Sequence, residues 1–325
     1  MMLEYKVSAD AAGQRLDKFL RKRLEAVPLS HLYKLVRTKK VRVNGARATI
    51  AHLLQPGDVI TVHGARDGKP PAAPGGVKPA QHVGQDFKIL YEDEHILVCD
   101  KPAGLAIHPG SGITGETLVD QARAYLERQG LTVPEGEFKP SPAHRLDRET
   151  SGVVVVAKTR QAMVKLTEIF TEGTAEKRYL TVAKGRFQKD KGTIELRLPE
   201  HQQTSNSKEQ RGVNMQAATT HWQRLAGGPE ATLLEVRIET GRTHQIRRHL
   251  AAIGHPVIGD GKHGDFTFNR QLRATSGLKR MFLHSARLAL AHPITGKRLI
   301  FISPMPEELT LSLPRLGITY KQSIT

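Results

Sequence analysis

A break near the first fifth of the chain constrains its folding more than any other feature. Residues 65–85, ARDGKPPAAPGGVKPAQHVGQ, contain four Pro and four Gly and no periodic apolar pattern. Such a stretch cannot bury enough surface to order itself, and Pro and Gly at this density interrupt both helix and sheet. The chain therefore reads as a small unit over 1–64, a linker over 65–85 and a larger unit over 86–325, in keeping with 325 residues at roughly 150 per domain.

Charge separates the two units further. Residues 1–64 carry 12 Lys/Arg against 5 Asp/Glu, a net +7, while the other 261 residues carry a net +10. The small unit is thus nearly three times as densely charged, and the net +17 of the whole chain points to a polyanionic partner, a nucleic acid or an anionic surface. Membrane residence is not expected. The longest apolar runs, such as Val153–Ala157, fall well short of the roughly 18 residues of a span. The segment MMLEYKVSAD lacks an apolar signal region, so a cytoplasmic location is expected. Cys99 is the single cysteine, which excludes an intramolecular disulfide and a Cys-based metal site.

Within 1–64, Leu16, Phe19, Leu20 and Leu24 recur at helical spacing. A second stripe, Leu32, Leu35 and Val36, follows Ser30, a candidate N-cap. Val41-Arg42-Val43 alternates and ends in the turn pair Asn44-Gly45, and Gln55-Pro56-Gly57-Asp58 leads into a strand over Val59–Val62. Arg21, Lys22, Arg23, Lys34, Arg37, Lys39, Lys40 and Arg42 cluster about the helix pair. On charge alone this is either a phosphate-binding surface or a solvated helical face. The segments GQRLDKFLRKRL, VPLSHLYKLVRTKKVRVNGARA and LQPGDVITV resemble the RNA-binding module shared with the small-subunit ribosomal protein S-four family. That resemblance implies RNA contacts from Arg21, Arg23, Lys34, Arg37, Lys39, Lys40 and Arg42.

The larger unit offers strand candidates at Lys88–Tyr91, His95–Cys99, Gly152–Lys158, Arg178–Val182, Thr232–Arg237 and Arg298–Ile302. Its helix candidates are Glu116–Glu127, Arg160–Thr171 and Thr243–Ile253. Several strands follow one another through short turns instead of alternating with helices, which predicts an α+β domain with a mostly antiparallel mixed sheet. In Thr243–Ile253, residues Ile246, Leu250 and Ile253 form one apolar face and Gly254 a stop. At 100° per residue Arg247 falls on the rim of that face, where it can look into a cleft.

Chemistry concentrates in His144-Arg145-Leu146-Asp147-Arg148-Glu149-Thr150-Ser151-Gly152, just ahead of the apolar strand Val153–Val156. The flanking guanidiniums favour the ionised form of Asp147, which suits a nucleophile or an electrostatic stabiliser. A turn bearing a surface ion pair is the other reading of the same residues. The stretch looks like the signature of the RluA/RluC/RluD group of pseudouridine synthases. Further motifs of that group occur in order: ILYED at 89–93, DKPAG at 100–104, AIHP at 106–109, EKRYL at 176–180, TGRTHQIR at 240–247 and FLHS at 282–285. The run FNRQL at 268–272 with Gly277-Leu278 is most similar to the RluC branch.

The resemblance implies a pseudouridine synthase fold and conversion of specific uridines to pseudouridine in large-subunit ribosomal RNA or its assembly precursor. It makes Asp147 the catalytic aspartate, pairs it with Arg247 and stacks Tyr179 on the target base. Arg145 then fills the space the base vacates, and Arg148 contacts the RNA. The reaction detaches the base at its ring nitrogen, turns it and rejoins it through carbon-5. It consumes no water or redox equivalent, so neither cofactor nor metal is expected, and the uridine must leave its stack. No obligate protein partner is indicated.

Other motifs are weaker. Gly110–Gly115 matches G-x-G-x-x-G, but His108-Pro109 interrupts the strand that should feed it, and residues 131–141 read as a Pro-rich loop where a second parallel strand should follow. His244 and His249, five apart, do not share a helical face for metal binding, and Trp222 reads as core. Two residues depart from the group: His263, where Tyr is usual, and Gln216, where Lys is common. Two other functions remain open on the residues alone. A methyltransferase with the same module would need a cofactor-binding βαβ unit, and a ribosome-associated RNA-binding factor would use Asp147 only structurally.

Overall fold

The computed structural model describes residues 2–8, 11–24, 27, 29–64, 84–110, 115–134, 137–199 and 214–320. The expected linker lies outside these except for its last two residues.

Near the start, apolar residues at helical spacing do form two helices. The elements are β1 (Met2–Lys6), α1 (Leu16–Arg23), α2 (Leu29–Arg37), β2 (Val41–Val43), β3 (Ala46–Arg47) and β4 (Val59–His63), with the antiparallel sheet order β1-β4-β2-β3. Leu16, Phe19 and Leu20 of α1, with Leu24 just beyond it, meet Leu32, Leu35 and Val36 of α2 over Val41, Val43, Ile60 and Val62 of the sheet. Asn44 and Gly45, with φ of 49° and 76°, build the two-residue turn between β2 and β3 that positive φ at both positions requires. The Asn44 side chain donates to Asp58 and accepts from the Val59 N–H, both at 2.8 Å, tying this turn to the next strand.

Two details differ from expectation. Helix α2 begins at Leu29, so Ser30 lies inside its first turn and not at the N-cap; its side chain lies outside the described residues. Strand β1 carries little signal in the sequence: Leu3 and Tyr5 are half-buried between exposed neighbours, a short pattern with no turn signal in front of it.

The second body is built from β5 (Lys88–Glu92), β6 (Ile96–Lys101), α3 (Leu118–Arg128), β7 (Ser141–Pro142), β8 (Ser151–Ala157), α4 (Arg160–Thr171), β9 (Glu176–Lys184) and β10 (Lys191–Glu195). It continues through β11 (Leu198–Pro199), β12 (Met215–Gln216), β13 (Thr219–Gly227), β14 (Ala231–Ile238), α5 (Gln245–Ala252) and α6 (Phe266–Ser276). The last elements are β15 (Leu283–Ala291), β16 (Arg298–Ile302), α7 (Glu307–Thr310) and α8 (Ser312–Arg315). Its main sheet runs β10-β13-β14-β9-β15-β8-β6-β5, with β16 on β15 and β7 on β8. Every pairing is antiparallel except β15 with β8, so the α+β class with a mixed sheet holds.

Strand alternation sorts side chains onto two covered faces. Val154, Val156, Tyr179 and Ala183 join Leu118, Ala122 and Leu126 of α3 and Ile246 and Leu250 of α5. On the opposite face, Val153 and Val155 pack on Ala162 and Leu166 of α4, and Leu180 and Val182 on Phe268 and Leu272 of α6. All seven residues of β8 are buried, which explains its unbroken apolar run. Trp222 is core, edge-on to Phe187 at 4.7 Å between centroids. Strands β10, β13 and β15 and helix α6 are hard to see in the sequence because polar residues interrupt their apolar periods.

The two bodies touch through polar contacts. The Ser8 hydroxyl donates to Glu137 at 2.7 Å, and Arg160 donates to the Ala12 carbonyl at 2.9 Å. Among the described residues, no helix is long and apolar enough to cross a membrane.

Candidate active site

Asp147 stands on the turn that feeds β8, and two features far away in sequence fix that turn. At Gly152 the chain enters β8 with φ of 116°, and a Cβ there would come within 2.2 Å of the Ser285 carbonyl oxygen. Glycine is therefore required where β8 meets β15 in parallel. The second feature is Lys101, fully buried at the end of β6. Its ammonium donates to the carbonyls of Pro102, Leu105 and Arg148 at 2.9, 2.8 and 3.0 Å, and the Gly104 N–H reaches the Arg148 carbonyl as well. Burial pushes the Lys101 pKa down to about 7, while three acceptors match the three N–H groups of the charged form. The DKPAG loop thus clamps the residue next to Asp147.

Arg247 reaches Asp147 from α5. Its Nη1 donates to Asp147 Oδ2 at 2.7 Å, while Nε and Nη2 bind the two oxygens of Asp260 at 2.7 and 2.8 Å. Asp260 is fully buried and also accepts from the backbone N–H groups of Lys262 and His263. Burial opposes charge on Arg247, but its bonds to Asp260 and Asp147 outweigh this and raise its pKa. Asp260 is shifted down in spite of its burial, by Arg247 and the two backbone donors. A bidentate fork on Asp260 leaves one guanidinium edge for Asp147, which fixes the direction from which the Asp147 carboxylate is held.

His244, at the N-cap of α5, has φ 55° and ψ 30°, a left-handed conformation that costs a side-chain-bearing residue about 1–2 kcal/mol. This turns its ring into the cleft, where Nε2 lies 3.7 Å from Asp147 Oδ1. Burial, Arg247, His263 and Lys262 together push His244 down to about 4, against the pull of Asp147. His144, ahead of Asp147, stacks on Phe170 at 4.6 Å and accepts the Val155 N–H through Nε2. Desolvation and Lys177 lower its pKa to about 3, so it is a neutral structural ring.

Tyr179 lies in the middle of β9, paired across the sheet with Val236 and buried on the α5 side. Burial raises its hydroxyl pKa, and the hydroxyl bonds to Ser285. Arg145, Leu146, Asp147, Tyr179, His244 and Arg247 line one cleft. Past Tyr179 this opens into a broader groove bordered by Arg145, Lys177, Arg237 and Arg242.

Two expectations about charge need correction. Neither Arg145 nor Arg148, which flank Asp147 in sequence, pairs with it: Arg148 binds Glu149 at 3.0 Å at the surface, and Arg145 makes no ion pair among the described residues. The partner comes instead from α5, where Arg247 donates to Asp147 Oδ2. Arg23, grouped with the exposed cations of the small module, is turned inward, with its guanidinium 5.3 Å from the Phe19 ring centre and 3.7 Å from Glu137. By contrast, Arg21, Lys34, Arg37, Lys39, Lys40 and Arg42 are exposed and make no ion pair among the described residues.

Sequence reasoning brings Asp147, Arg247 and Tyr179 forward, and these three do converge on one cleft. It gives no role to Asp260, Lys101 or His244, although Lys101 lies in the DKPAG motif, His244 in TGRTHQIR, and Asp260 three residues before His263. As for a G-x-G-x-x-G site, β6 ends at Lys101 and pairs antiparallel with β5 and β8, so no βαβ unit leads into Gly110. No group of three or more His, Cys, Asp or Glu among the described residues is arranged to hold a metal ion.

A small basic module beside a sheet that presents an arginine-bound aspartate and a tyrosine in one basic cleft defines an RNA-modifying enzyme. The family model for RNA pseudouridylate synthase matches residues 95–252, and that for the S4 domain matches residues 14–60. The chain is 37% identical over 315 residues to ribosomal large subunit pseudouridine synthase C of Escherichia coli (strain K12), covering 95% of each. It is 35% identical to the protein of that name from Vibrio vulnificus, covering 93% of each. Among solved structures it resembles human RNA pseudouridylate synthase domain containing 4, with a TM-score of 0.57, 25% identity, and coverage of 72% of this chain and 94% of that one. The chain belongs to the RNA pseudouridylate synthase family: it is an RNA pseudouridine synthase, an isomerase of uridine in RNA.

Proposed function

We propose that Asp147 is the residue that acts on the target uridine, with large-subunit ribosomal RNA or its assembly precursor as the cytoplasmic substrate. The observation that carries this reading is the 2.7 Å pair between Asp147 and Arg247 in a cleft that also holds the Tyr179 ring. Arg247 binds one carboxylate oxygen and leaves the other turned toward the cleft. That oxygen can attack the nucleoside or steady positive charge at the ribose carbon as the base departs. Tyr179 then provides the flat apolar surface on which a detached base can turn. Its raised pKa keeps the hydroxyl protonated, which suits stacking better than proton removal. Arg145, exposed at the cleft mouth, fills the gap left by the flipped base, and Arg148 contacts the backbone. The proton lost from carbon-5 is balanced by one gained at the ring nitrogen, so the rearrangement closes on itself.

Chemistry resides in residues 86–325, while residues 1–64 supply affinity through Arg21, Lys34, Arg37, Lys39, Lys40 and Arg42. The relatives' names state the ribosomal large subunit, and the RNA of that subunit is the substrate that suits this division of labour.

Asp147→Asn preserves shape and removes the charge. Tritium release from RNA labelled at uridine carbon-5 should fall by more than about 10⁴-fold, with RNA binding retained. Turnover close to that of the unmodified chain would refute the assignment. Mapping pseudouridine in ribosomal RNA by carbodiimide modification and primer extension, with and without the gene, tests the substrate.

A further inference from the structure

The two open spaces beside Asp147 meet at a neck. Arg145, Tyr179, Ile238, Gly241 and Arg242 line both the cavity that holds the Asp147 carboxylate and the broader groove beyond Tyr179. Tyr179 and Ile238 give the neck an apolar side, and the two arginines give it a cationic one. The reaction as described uses Tyr179 and Arg145 but leaves Arg242 without a part.

Arg242 sits on the loop between β14 and α5, and the buried Gln245 braces that loop. The Gln245 side-chain oxygen accepts from the Thr240 hydroxyl at 2.7 Å and from the Arg242 N–H at 3.1 Å. Its amide nitrogen donates to the Thr219 carbonyl and the Thr220 hydroxyl of β13, at 2.9 and 3.1 Å. The backbone under Arg242 is thus fixed, while its guanidinium has no partner among the described residues. Nε is buried and unbonded, and the Nη nitrogens make no hydrogen bond and stay open to solvent. The other buried nitrogens without a partner among the described residues, on Arg23, His95 and His249, line neither the cavity nor the groove. No carboxylate neutralises Arg242 either. Of those lining the two spaces, Asp147 is bound by Arg247 and Glu239 by His221 and Arg237, and Glu172 makes no ion pair among the described residues. A partly desolvated charge without an acceptor is unfavourable in the free protein, and an incoming anion relieves it.

We propose that Arg242 binds a phosphodiester of the RNA at this neck, on one side of the target uridine, and anchors the flipped nucleotide while its base turns. This rests on the reading of the cleft as the place where Asp147 acts on uridine. Two features favour phosphate over base. The paired donors of a guanidinium match the two adjacent oxygens of a phosphodiester, whereas the pairing edge of uracil sets an N–H between its two carbonyls. The base must also turn once it is detached, so a bond to it would break partway through, but the phosphate keeps its place from substrate to product. With the backbone held at the neck, the base reaches inward to Tyr179 and the strand continues along the groove past Lys177 and Arg237.

The test uses the full chain and RNA fragments carrying a uridine mapped as modified, in which the phosphate on either side of that uridine is replaced singly by neutral methylphosphonate. With the unaltered chain, replacement at one of the two positions should weaken binding by about 10- to 100-fold, the range of a hydrogen bond to a charged group. Arg242→Gln should weaken binding of the all-phosphate RNA by a similar factor, with kcat at saturation little changed, and should lower the salt slope by about 0.7. The two changes together should weaken binding little more than either alone. Unchanged affinity in Arg242→Gln would overturn the proposal. So would penalties that multiply at both positions, or a loss of activity that follows a lowered melting temperature while the methylphosphonate penalty is intact. RNA binding does not need the Asp147 carboxylate, so the same cycle is run in Asp147→Asn. Turnover in that background would remove the role of Asp147, and the phosphate contact would still stand or fall on the coupling read in binding.

Discussion

The helix-pair module and the Asp147 cleft are both basic, but they use positive charge in opposite ways. On the module, Lys34, Arg37, Lys39, Lys40 and Arg42 stand in solvent and make no ion pair among the described residues. In the cleft, Arg247 is buried and each of its three guanidinium nitrogens donates to a carboxylate. Exposed cations attract a polyanion at long range, and salt screens them. A buried, forked guanidinium attracts little from a distance, yet it fixes one carboxylate to within a bond length. In the proposed division of labour, affinity and chemistry are separated by the state of the arginines and lysines as much as by position along the chain.

The cleft half of this contrast fails most visibly if its anchor is removed. Asp260→Ala leaves Arg247 buried without its bidentate partner, and removing one member of such a pair costs about 3–5 kcal/mol. The melting transition should drop accordingly, and activity should be lost even at temperatures where the protein remains folded, because Arg247 no longer points at Asp147. The salt dependence of RNA binding should stay as it was. If Asp260→Ala instead flattened that dependence, the division between exposed and buried cations would be wrong.

How much of this is legible in the sequence depends on the physical signal each residue carries. The helices of the module are legible because Leu16, Phe19 and Leu20, and then Leu32, Leu35 and Val36, repeat at the period that buries one face. Arg247 is legible for a related reason, since the apolar stripe of α5 places it on the rim. Asp260 has no such signal: it lies on a glycine-flanked loop, and its bond to Arg247 depends on how that loop folds back on α5. Lys101 misleads because lysine is ordinarily a surface residue, and only three convergent carbonyls make its burial tolerable. Arg145 and Arg148 mislead in another way. Nearness in sequence suggests that they hold Asp147, but the chain direction at the turn sends Arg148 to Glu149.

The apolar wall of the cleft gives a smaller effect than its anchor. Tyr179→Phe keeps the ring, whereas Tyr179→Leu removes it, and base stacking on an aromatic is worth about 1–3 kcal/mol. Leu should therefore weaken productive binding well beyond Phe, as read from single-turnover rates over a range of RNA concentrations. Equal damage from both would move the role from the ring to the hydroxyl bonded to Ser285.

Buried groups should also make the catalytic body more sensitive to acid than the module. His144 is held neutral, with its pKa depressed to about 3. A group whose folded pKa is depressed contributes stability that is complete above its unfolded value, near 6.5 for histidine, and that is lost as pH falls toward the folded value. Between about pH 6.5 and 3 this costs up to about 1.4 kcal/mol per pH unit. His144→Gln retains an acceptor for the Val155 N–H without the titration, so its urea midpoint should decline less steeply over that range. Parallel curves for the two proteins would show that the ring is not desolvated in solution.

The smallest expected effect bears on the module. Lys39 and Lys40 stand at the end of α2, Lys39 in a left-handed turn with φ of 65°, and both side chains are exposed ahead of β2. Exposed lysines that touch phosphate displace condensed counterions, so neutralising one of them lowers the slope of log affinity against log salt by about 0.7 to 0.9. Lys40→Gln is the cleaner variant, because Lys39→Gln also changes a strained backbone position. Binding of ribosomal RNA fragments by Lys40→Gln should show the reduced slope, a few-fold loss of affinity at moderate salt and an unchanged single-turnover rate at saturation. An unchanged slope would mean that Lys40 only solvates the helix end. A lowered saturating rate would mean that the module also shapes the cleft, a route open to it through the contacts of Ser8 with Glu137 and of Ala12 with Arg160.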